Sequence, residues 1–241
     1  MENSNQLALA KKNIDTILVL DFGSQYTQLI ARRIRELDVY SVILPWDISK
    51  DRIASLNPVG IILSGGPESV TKNNTPRVPE IIFDLGIPIL GICYGMQTLA
   101  EQFGGQVTTS KIKEFGHASI TLEKASILFD GSDAGSSMDV WMSHGDHVSS
   151  LPDQFNLIAS TPSVPIAAMA HSEKPIYALQ FHPEVTHTKE GSVVLENFVF
   201  KICNCRAQWK MENLIEQRIL DIKERVGDKK VLLGLSGGVD S

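Results

Sequence analysis

Cys93 stands between two glycines in Gly91-Ile-Cys-Tyr-Gly95, directly after the apolar run Ile87-Pro-Ile-Leu90. A strand that runs into a glycine-flanked turn and then into a helix, suggested here by Met96 to Gln102, presents its thiol at a helix N-terminus. Amides and dipole there favour a thiolate and a developing oxyanion. The chemistry that suits this arrangement is nucleophilic attack on a carbonyl. Free cysteine is among the most buried residue types, so a packed thiol ending a core strand is the plain alternative. The flanking glycines argue against it, because they let the backbone take a turn that a Cβ would obstruct.

A sulfur nucleophile needs a base. His182 in Gln180-Phe-His-Pro-Glu184 lies at the end of the strand predicted over Ile176 to Phe181. Function collects at such strand ends in α/β folds. The imidazole can hold the Cys93 proton or pair with the thiolate, and Glu184 can orient the ring from its other nitrogen. A lone histidine is more often a packed or surface residue; a strand-end His-Pro-Glu beside a Gly-x-Cys-x-Gly turn points to catalysis. Acyl chemistry also needs oxyanion donors, and Ser64-Gly-Gly-Pro67 follows another strand in the same half of the chain. One donor would be the Gly66 amide and the other that of Tyr94. Alone, Gly-Gly-Pro reads equally well as a simple turn or a phosphate loop.

The elements that must position these residues are short apolar strands alternating with helices. Ile17 to Leu20, Ser41 to Leu44, Gly60 to Leu63 and Ile87 to Leu90 read as strands. Asp21 to Gln25 is a loop before a helix over Tyr26 to Leu37, and a second helix is predicted near Arg77 to Leu85. This pattern indicates an α/β fold with an open, mostly parallel sheet covered by helices on both faces. From Gln106 to Ala170 the pieces become β-rich: Ala118 to Leu122, Val140 to Met142, Asn156 to Ala159 and Ile166 to Met169, separated by Gly, Ser and Pro loops. These extend the sheet with mixed or antiparallel strands. Gly191 to Cys203 closes the domain as a helix. The expected organisation is a tail over 1–15, one full domain over 16–205 and the start of an incomplete second domain over 206–241. That last segment holds an amphipathic helix from Trp209 to Val226, striped by Leu214, Ile215, Ile219 and Ile222 and stopped by Gly227, then a strand from Val231 to Leu235.

With 241 residues, 43% hydrophobic and 21% charged, the chain can bury one sizeable core without metal or disulfide support. A net charge of −6 argues against a dominant nucleic-acid or anionic-membrane role. Three cysteines, Cys93, Cys203 and Cys205, make no even disulfide framework and suit a reducing compartment. No run approaches membrane-spanning length and no leader pattern opens the chain, so the expected location is cytoplasmic. His144, Asp146, His147 and His187 lack an established zinc spacing, and Cys203-Asn-Cys205 lacks a second pair; no metal site is expected.

Taken together, Ser64-Gly-Gly-Pro67, Gly91-Ile-Cys-Tyr-Gly-Met-Gln97 and His182-Pro-Glu184 resemble the class I, or triad, glutamine amidotransferases. The resemblance implies a flavodoxin-like sheet with Cys93 as nucleophile, His182 as base and Glu184 as its partner. Glutamine would be held near Gly65, Gly66, Gln97 and the Ser143–His144 segment. Asp21 to Gln28 and Trp141 to Asp146 resemble the branch of that family whose second domain is an ATP pyrophosphatase. Ser236, Gly237, Gly238, Val239, Asp240 and Ser241 resemble the pyrophosphate loop opening that domain. The implied activity is hydrolysis of glutamine through a thioester, with the ammonia passed on for amination of xanthosine monophosphate. No cofactor is implied for the glutaminase step; ATP and Mg2+ serve the complete enzyme, which the resemblance makes a homodimer. Two other readings are an amidotransferase serving a different acceptor and a catalytically silent docking module. The terminal loop discriminates against the first and the intact Cys93, His182 and Glu184 against the second.

Overall fold

In Ile17-Leu-Val-Leu20 every side chain is buried, and successive residues enter opposite hydrophobic clusters: Ile17 and Val19 one, Leu18 and Leu20 the other. This is the signature of a strand covered on both faces. The computed structural model describes residues 14–209, 219, 222–223, 225–227 and 229–232. Strand β1 (Thr16–Asp21) leads through helix α1 (Thr27–Glu36) to β2 (Tyr40–Pro45), and α2 (Lys50–Leu56) leads to β3 (Gly60–Leu63). A short α3 (Ile81–Asp84) precedes β4 (Ile89–Ile92), and α4 (Tyr94–Gln102) follows it. Then come β5 (Gln106–Leu122), β6 (Ser137–Ser150), β7 (Phe155–Ser160), β8 (Ala168–His171), β9 (Ile176–Leu179) and α5 (Gly191–Glu196).

The strands make one nine-stranded sheet in the order β2-β1-β3-β4-β9-β8-β7-β5-β6. The pairs from β2 to β9 are parallel and those from β9 to β6 antiparallel. The open, mostly parallel sheet expected from the sequence is thus present, and its first four strands have the flavodoxin-like order. The chain reverses direction at β1, so a crevice opens at the carboxyl ends of β1 and β3. One face is packed by Ile30 and Ile34 of α1 with Val194 and Leu195 of α5, the other by Ile53 of α2 and Leu99 of α4.

Several elements depart from expectation. Helix α2 was not predicted, although its signals are local: the Ser49 hydroxyl accepts from the Arg52 amide at 3.3 Å, and Asn57 ends the helix in a left-handed conformation at φ +45°. The helix expected over Arg77 to Leu85 shrinks to α3. Pro79 restricts Val78 to extended backbone, and the Arg77 guanidinium is held by the Val70 carbonyl at 2.7 Å and by Glu101. The segment read as loops around Ala118 and Val140 is a long pair of antiparallel strands, so Ser143 to Asp146 belong to β6. β8 starts at Ala168 rather than Ile166, and β9 ends at Leu179 rather than Phe181. The closing helix widens to a π-turn over Asn197–Ile202, where the Cys203 amide reaches the Phe198 carbonyl at 2.8 Å.

Two compact units divide between Gln208 and Trp209. Arg206 lies with the first unit because its amide and guanidinium both bond the Asp15 carboxylate, at 2.8 and 2.9 Å. In the second unit, Ile219 and Ile222 of the predicted stripe are helical and exposed, and Gly227 ends their helix at φ +51°. Leu214 and Ile215 lie outside the described residues. Val231 and Leu232 are not in a strand, contrary to expectation: they pair with no strand among the described residues. The remainder of that predicted strand, the loop Ser236 to Ser241 and residues 1–13 of the predicted tail lie outside the described residues.

Candidate active site

Four carboxyl-terminal strand ends, those of β1, β3, β4 and β9, deliver Ser24, Gly65, Cys93 and His182 to one cleft of about 690 Å³. Cys93 sits between β4 and α4 at φ +54°, ψ −104°, a conformation that L-residues rarely adopt. The strain therefore lies on the cysteine itself and not on its glycines, neither of which has positive φ. The glycines make room: a Cβ on Gly95 would stand 2.5 Å from the Leu63 carbonyl oxygen, and one on Gly91 2.7 Å from Leu99 Cδ1. Close approach of α4 to β3 and β4 is what aims the thiol outward from the sheet. The Cys93 amide is itself tied to the Leu179 carbonyl at 2.7 Å, which pins the turn against β9.

His182 follows β9 and is 3% exposed, with Glu184 behind it at 1%. Its Nδ1 lies 2.7 Å from Glu184 Oε1, and its ring also meets the Cys93 thiol. Burial by itself would depress the imidazole's pKa, but the Glu184 charge and the bonds to Cys93 and Glu184 outweigh it and raise the value to about 10. At neutral pH this histidine is an imidazolium wedged between a carboxylate and a sulfur. Its ring packs edge-on to Tyr26 with centroids 5.1 Å apart. Its backbone is fixed by β6 and by Thr188. The His182 amide donates to the Trp141 carbonyl at 3.0 Å, and the Thr188 hydroxyl donates to the His182 carbonyl at 2.6 Å while accepting from the Trp141 amide at 3.0 Å. Arg33 Nε donates to the Glu184 carbonyl at 3.0 Å, so α1 also holds this segment.

The cleft wall carries Gly65, Gly66 and Glu68 from the turn after β3, Gln97 from α4, and Ser143, His144 and Asp146 from β6. Among the described residues the amides of Gly66 and Tyr94 donate in no backbone hydrogen bond, and Tyr94 opens α4. The Tyr94 side chain turns away from the cleft, its hydroxyl donating to the Pro76 carbonyl at 2.6 Å, and burial pushes its pKa up. Only the main chain of Tyr94 can serve an oxyanion. His144 and Asp146, on alternate positions of β6, are buried at the cleft wall. Among the described residues no group of three or more His, Cys, Asp and Glu side chains could hold a metal ion, and His187 stacks on Trp141 at 4.3 Å.

Of the sequence-predicted site residues, Gly65, Gly66, Cys93, Gln97, Ser143, His144 and His182 line this cleft, Tyr94 offers it only main chain, and Glu184 lies behind His182. Gln180, Thr188 and Arg33 were given no role in the sequence. Gln180 carried a signal, since it opens Gln180-Phe-His-Pro-Glu184; Thr188 and Arg33 carried none, because their partners are far away in the chain. No described helix is long and apolar enough to cross a membrane.

The glutamine amidotransferase class-I family matches residues 18–202. The glutamine-hydrolysing GMP synthase of Hamiltonella defensa is 55% identical over 238 residues, covering 95% of this chain and 45% of that protein. That of Aliivibrio salmonicida is 57% identical over 225 residues, covering 93% of this chain and 43% of its own length. The chain thus spans less than half the length of these relatives. The crystal structure of a GMP synthase subunit from Thermoplasma acidophilum superposes with a TM-score of 0.72 at 35% identity, covering 85% of this chain and 98% of that one. With a cysteine elbow, a buried His–Glu pair and a family match across nearly the whole of the first unit, this chain belongs to the class I glutamine amidotransferases.

Proposed function

We propose that this chain is the glutaminase part of a GMP synthase, with Cys93, His182 and Glu184 as its catalytic triad. The observation that carries the reading is the Cys93 elbow at φ +54°, whose sulfur meets an imidazole locked 2.7 Å from Glu184 Oε1. The thiolate attacks the carboxamide carbon of glutamine, and the oxyanion that forms is met by the Gly66 amide in the turn after β3 and the Tyr94 amide at the α4 N-terminus. Removing one such donor typically lowers a rate by about 10²-fold to 10³-fold. His182 then gives its proton to the departing nitrogen, and ammonia leaves behind a glutamyl thioester on Cys93.

Proton release at that moment follows from the electrostatics. Two of the interactions that raise the His182 pKa come from Cys93, and both weaken once the sulfur bonds the carboxamide carbon in the tetrahedral intermediate, so the imidazolium turns more acidic as the leaving group needs its proton. Neutral His182 next takes a proton from water, whose oxygen attacks the thioester carbon, and glutamate and the thiolate are released. Gly65, Gln97, Ser143 and His144 line the cleft beside the sulfur and hold the glutamine, and Asp146 offers a carboxylate for its ammonium group.

The relatives named above support the larger assignment. The ammonia serves an ATP pyrophosphatase domain that binds ATP, Mg2+ and xanthosine monophosphate, in a cytoplasmic enzyme that works as a homodimer. Ser236 to Ser241 is the start of its ATP-binding loop and lies outside the described residues, so no step here is routed through it. Exposure of the chain to an electrophilic glutamine analogue, followed by intact mass and peptide mapping, tests the glutaminase reading. Glutamine should protect Cys93 from labelling. A folded chain that stays unlabelled at Cys93 would overturn it.

A further inference from the structure

The Cys93 sulfur has two neighbours that the reaction above leaves unused. As a thiol it donates to the Ser143 carbonyl across 3.7 Å, a bond that only the protonated sulfur can make. It also accepts from Gln180 Nε2 at 3.8 Å. Gln180 is 0% exposed, follows β9 directly and is anchored by its amide to the Ala167 carbonyl at 2.9 Å.

A buried primary amide can turn either its oxygen or its nitrogen to a neighbour, and the choice must come from the surrounding network. Here the network is decisive. The Asp146 carbonyl can only accept, so the atom of Gln97 that meets it at 2.7 Å is Nε2. That nitrogen can only donate, so the atom of Gln180 that meets it at 3.4 Å is Oε1. Gln180 Nε2 is thereby left facing the sulfur. A chain of hydrogen bonds that starts on an obligate acceptor in β6 ends as a donor aimed at Cys93.

We propose that Gln180 is a further catalytic residue, whose N–H bond to Cys93 stabilises the thiolate against the Ser143 carbonyl, with Gln97 as the residue that keeps it aligned. This rests on the reading of Cys93 as the nucleophile. The charged and titratable groups lining the cleft around Cys93 are His182, backed by Glu184, from the segment after β9, Tyr26 at the start of α1, His144 and Asp146 from β6, and Glu68 and Lys72 from the turn after β3. His182 supplies the positive charge. Gln180 supplies a neutral dipole that remains whatever the protonation state of the histidine, so it still favours the thiolate when His182 has given up its proton and sulfur is the leaving group.

The test is the pH profile of Cys93 alkylation by iodoacetamide in the full chain, read by peptide mapping. Gln180→Met keeps volume and removes the donor; its profile should move up by about one pH unit, with about tenfold slower alkylation at a pH below both midpoints. Gln180→Glu should move it further, because a carboxylate then faces the sulfur. Gln97→Met should move it in the same direction by less. A purely structural role would lower the melting temperature without displacing the profile. In the unaltered chain the Gln180 side-chain amide resonance should shift with the same midpoint as the alkylation, a measurement that needs no variant to fold. A folded Gln180→Met with an unmoved profile, or a Gln180 resonance indifferent to Cys93 ionisation, overturns the proposal. Alkylation needs no glutamine, so a chain that alkylates as described but hydrolyses no glutamine would break the glutaminase reading alone.

Discussion

Cys93 and the Cys203–Cys205 pair are buried almost equally, at 6% and 8% exposure, yet their surroundings are opposite. Cys93 sits on a strained elbow with an imidazolium, an amide donor and a carbonyl around its sulfur. Cys203 and Cys205 end a π-turn, each with its amide bonded to a carbonyl of that turn. Burial first, and then the neighbouring Cys205 sulfur, push the Cys203 thiol well above the usual cysteine range. Exposure therefore says little about which thiol reacts. The neighbours that compensate or refuse a negative charge decide it.

The largest effect that could break this comparison is at the nucleophile. Cys93→Ala should reduce the release of glutamate from glutamine by at least about 10⁴-fold, measured with a coupled glutamate assay. The double variant Cys203→Ala, Cys205→Ala should keep the rate and lose about 1–2 kcal/mol of stability by denaturant titration, as for small core truncations. A double variant that lost activity while remaining folded would mean that the second thiol pair is not merely packing.

A second, smaller effect sharpens the electrostatic side of the contrast. Glu184→Gln should slow turnover by about 10²-fold to 10⁴-fold, because the imidazole loses both its orienting partner and its charge. It should also change stability in a pH-dependent way. The folded His182 pKa is raised from 6.5 to about 10, so the stability it contributes is fully present below 6.5 and is lost as pH rises through about 10. The melting-temperature advantage of the unaltered chain over Glu184→Gln should then be greatest near pH 6 and fade toward pH 10. An advantage that grows with pH would contradict the assignment.

The smallest effect concerns the support behind the histidine. Thr188→Val removes the hydroxyl that joins the His182 carbonyl to the Trp141 amide, leaving a part-buried amide and a buried carbonyl without that partner, and should cost about 1–3 kcal/mol. Steady-state kinetics should show kcat falling by about tenfold with KM little changed, since a tilted imidazole affects proton transfer more than binding. A change confined to KM would place Thr188 in substrate binding instead.

Much of the site was legible before the fold was known because its turns carry local chemistry. Gly91 and Gly95 around Cys93, Gly65 and Gly66 after a strand, and Pro183 between His182 and Glu184 are residues whose backbone or size requirements show in the sequence. The parallel strands were legible for a similar reason, as Ile17-Leu-Val-Leu20 is apolar on both faces. Less legible was the antiparallel half. β5 and β6 carry polar residues at alternate positions and glycines at Gly116 and Gly145, which read as loops until their pairing is seen.

The sequence by itself determined which residue types stand at the strand ends, how the backbone bends there and where apolar runs build a two-faced sheet, since dihedral preference and periodicity are properties of neighbours in the chain. Only the tertiary structure decided that the Ser143 carbonyl, 50 residues away, would meet the Cys93 sulfur, that Gln180, 87 residues away, would point its nitrogen at it, and that Arg33 would reach the Glu184 carbonyl across 151 residues. Those contacts depend on sheet order and on the register of β6 against β5. Both are settled by the summed packing of the two faces, not by any local stretch of chain.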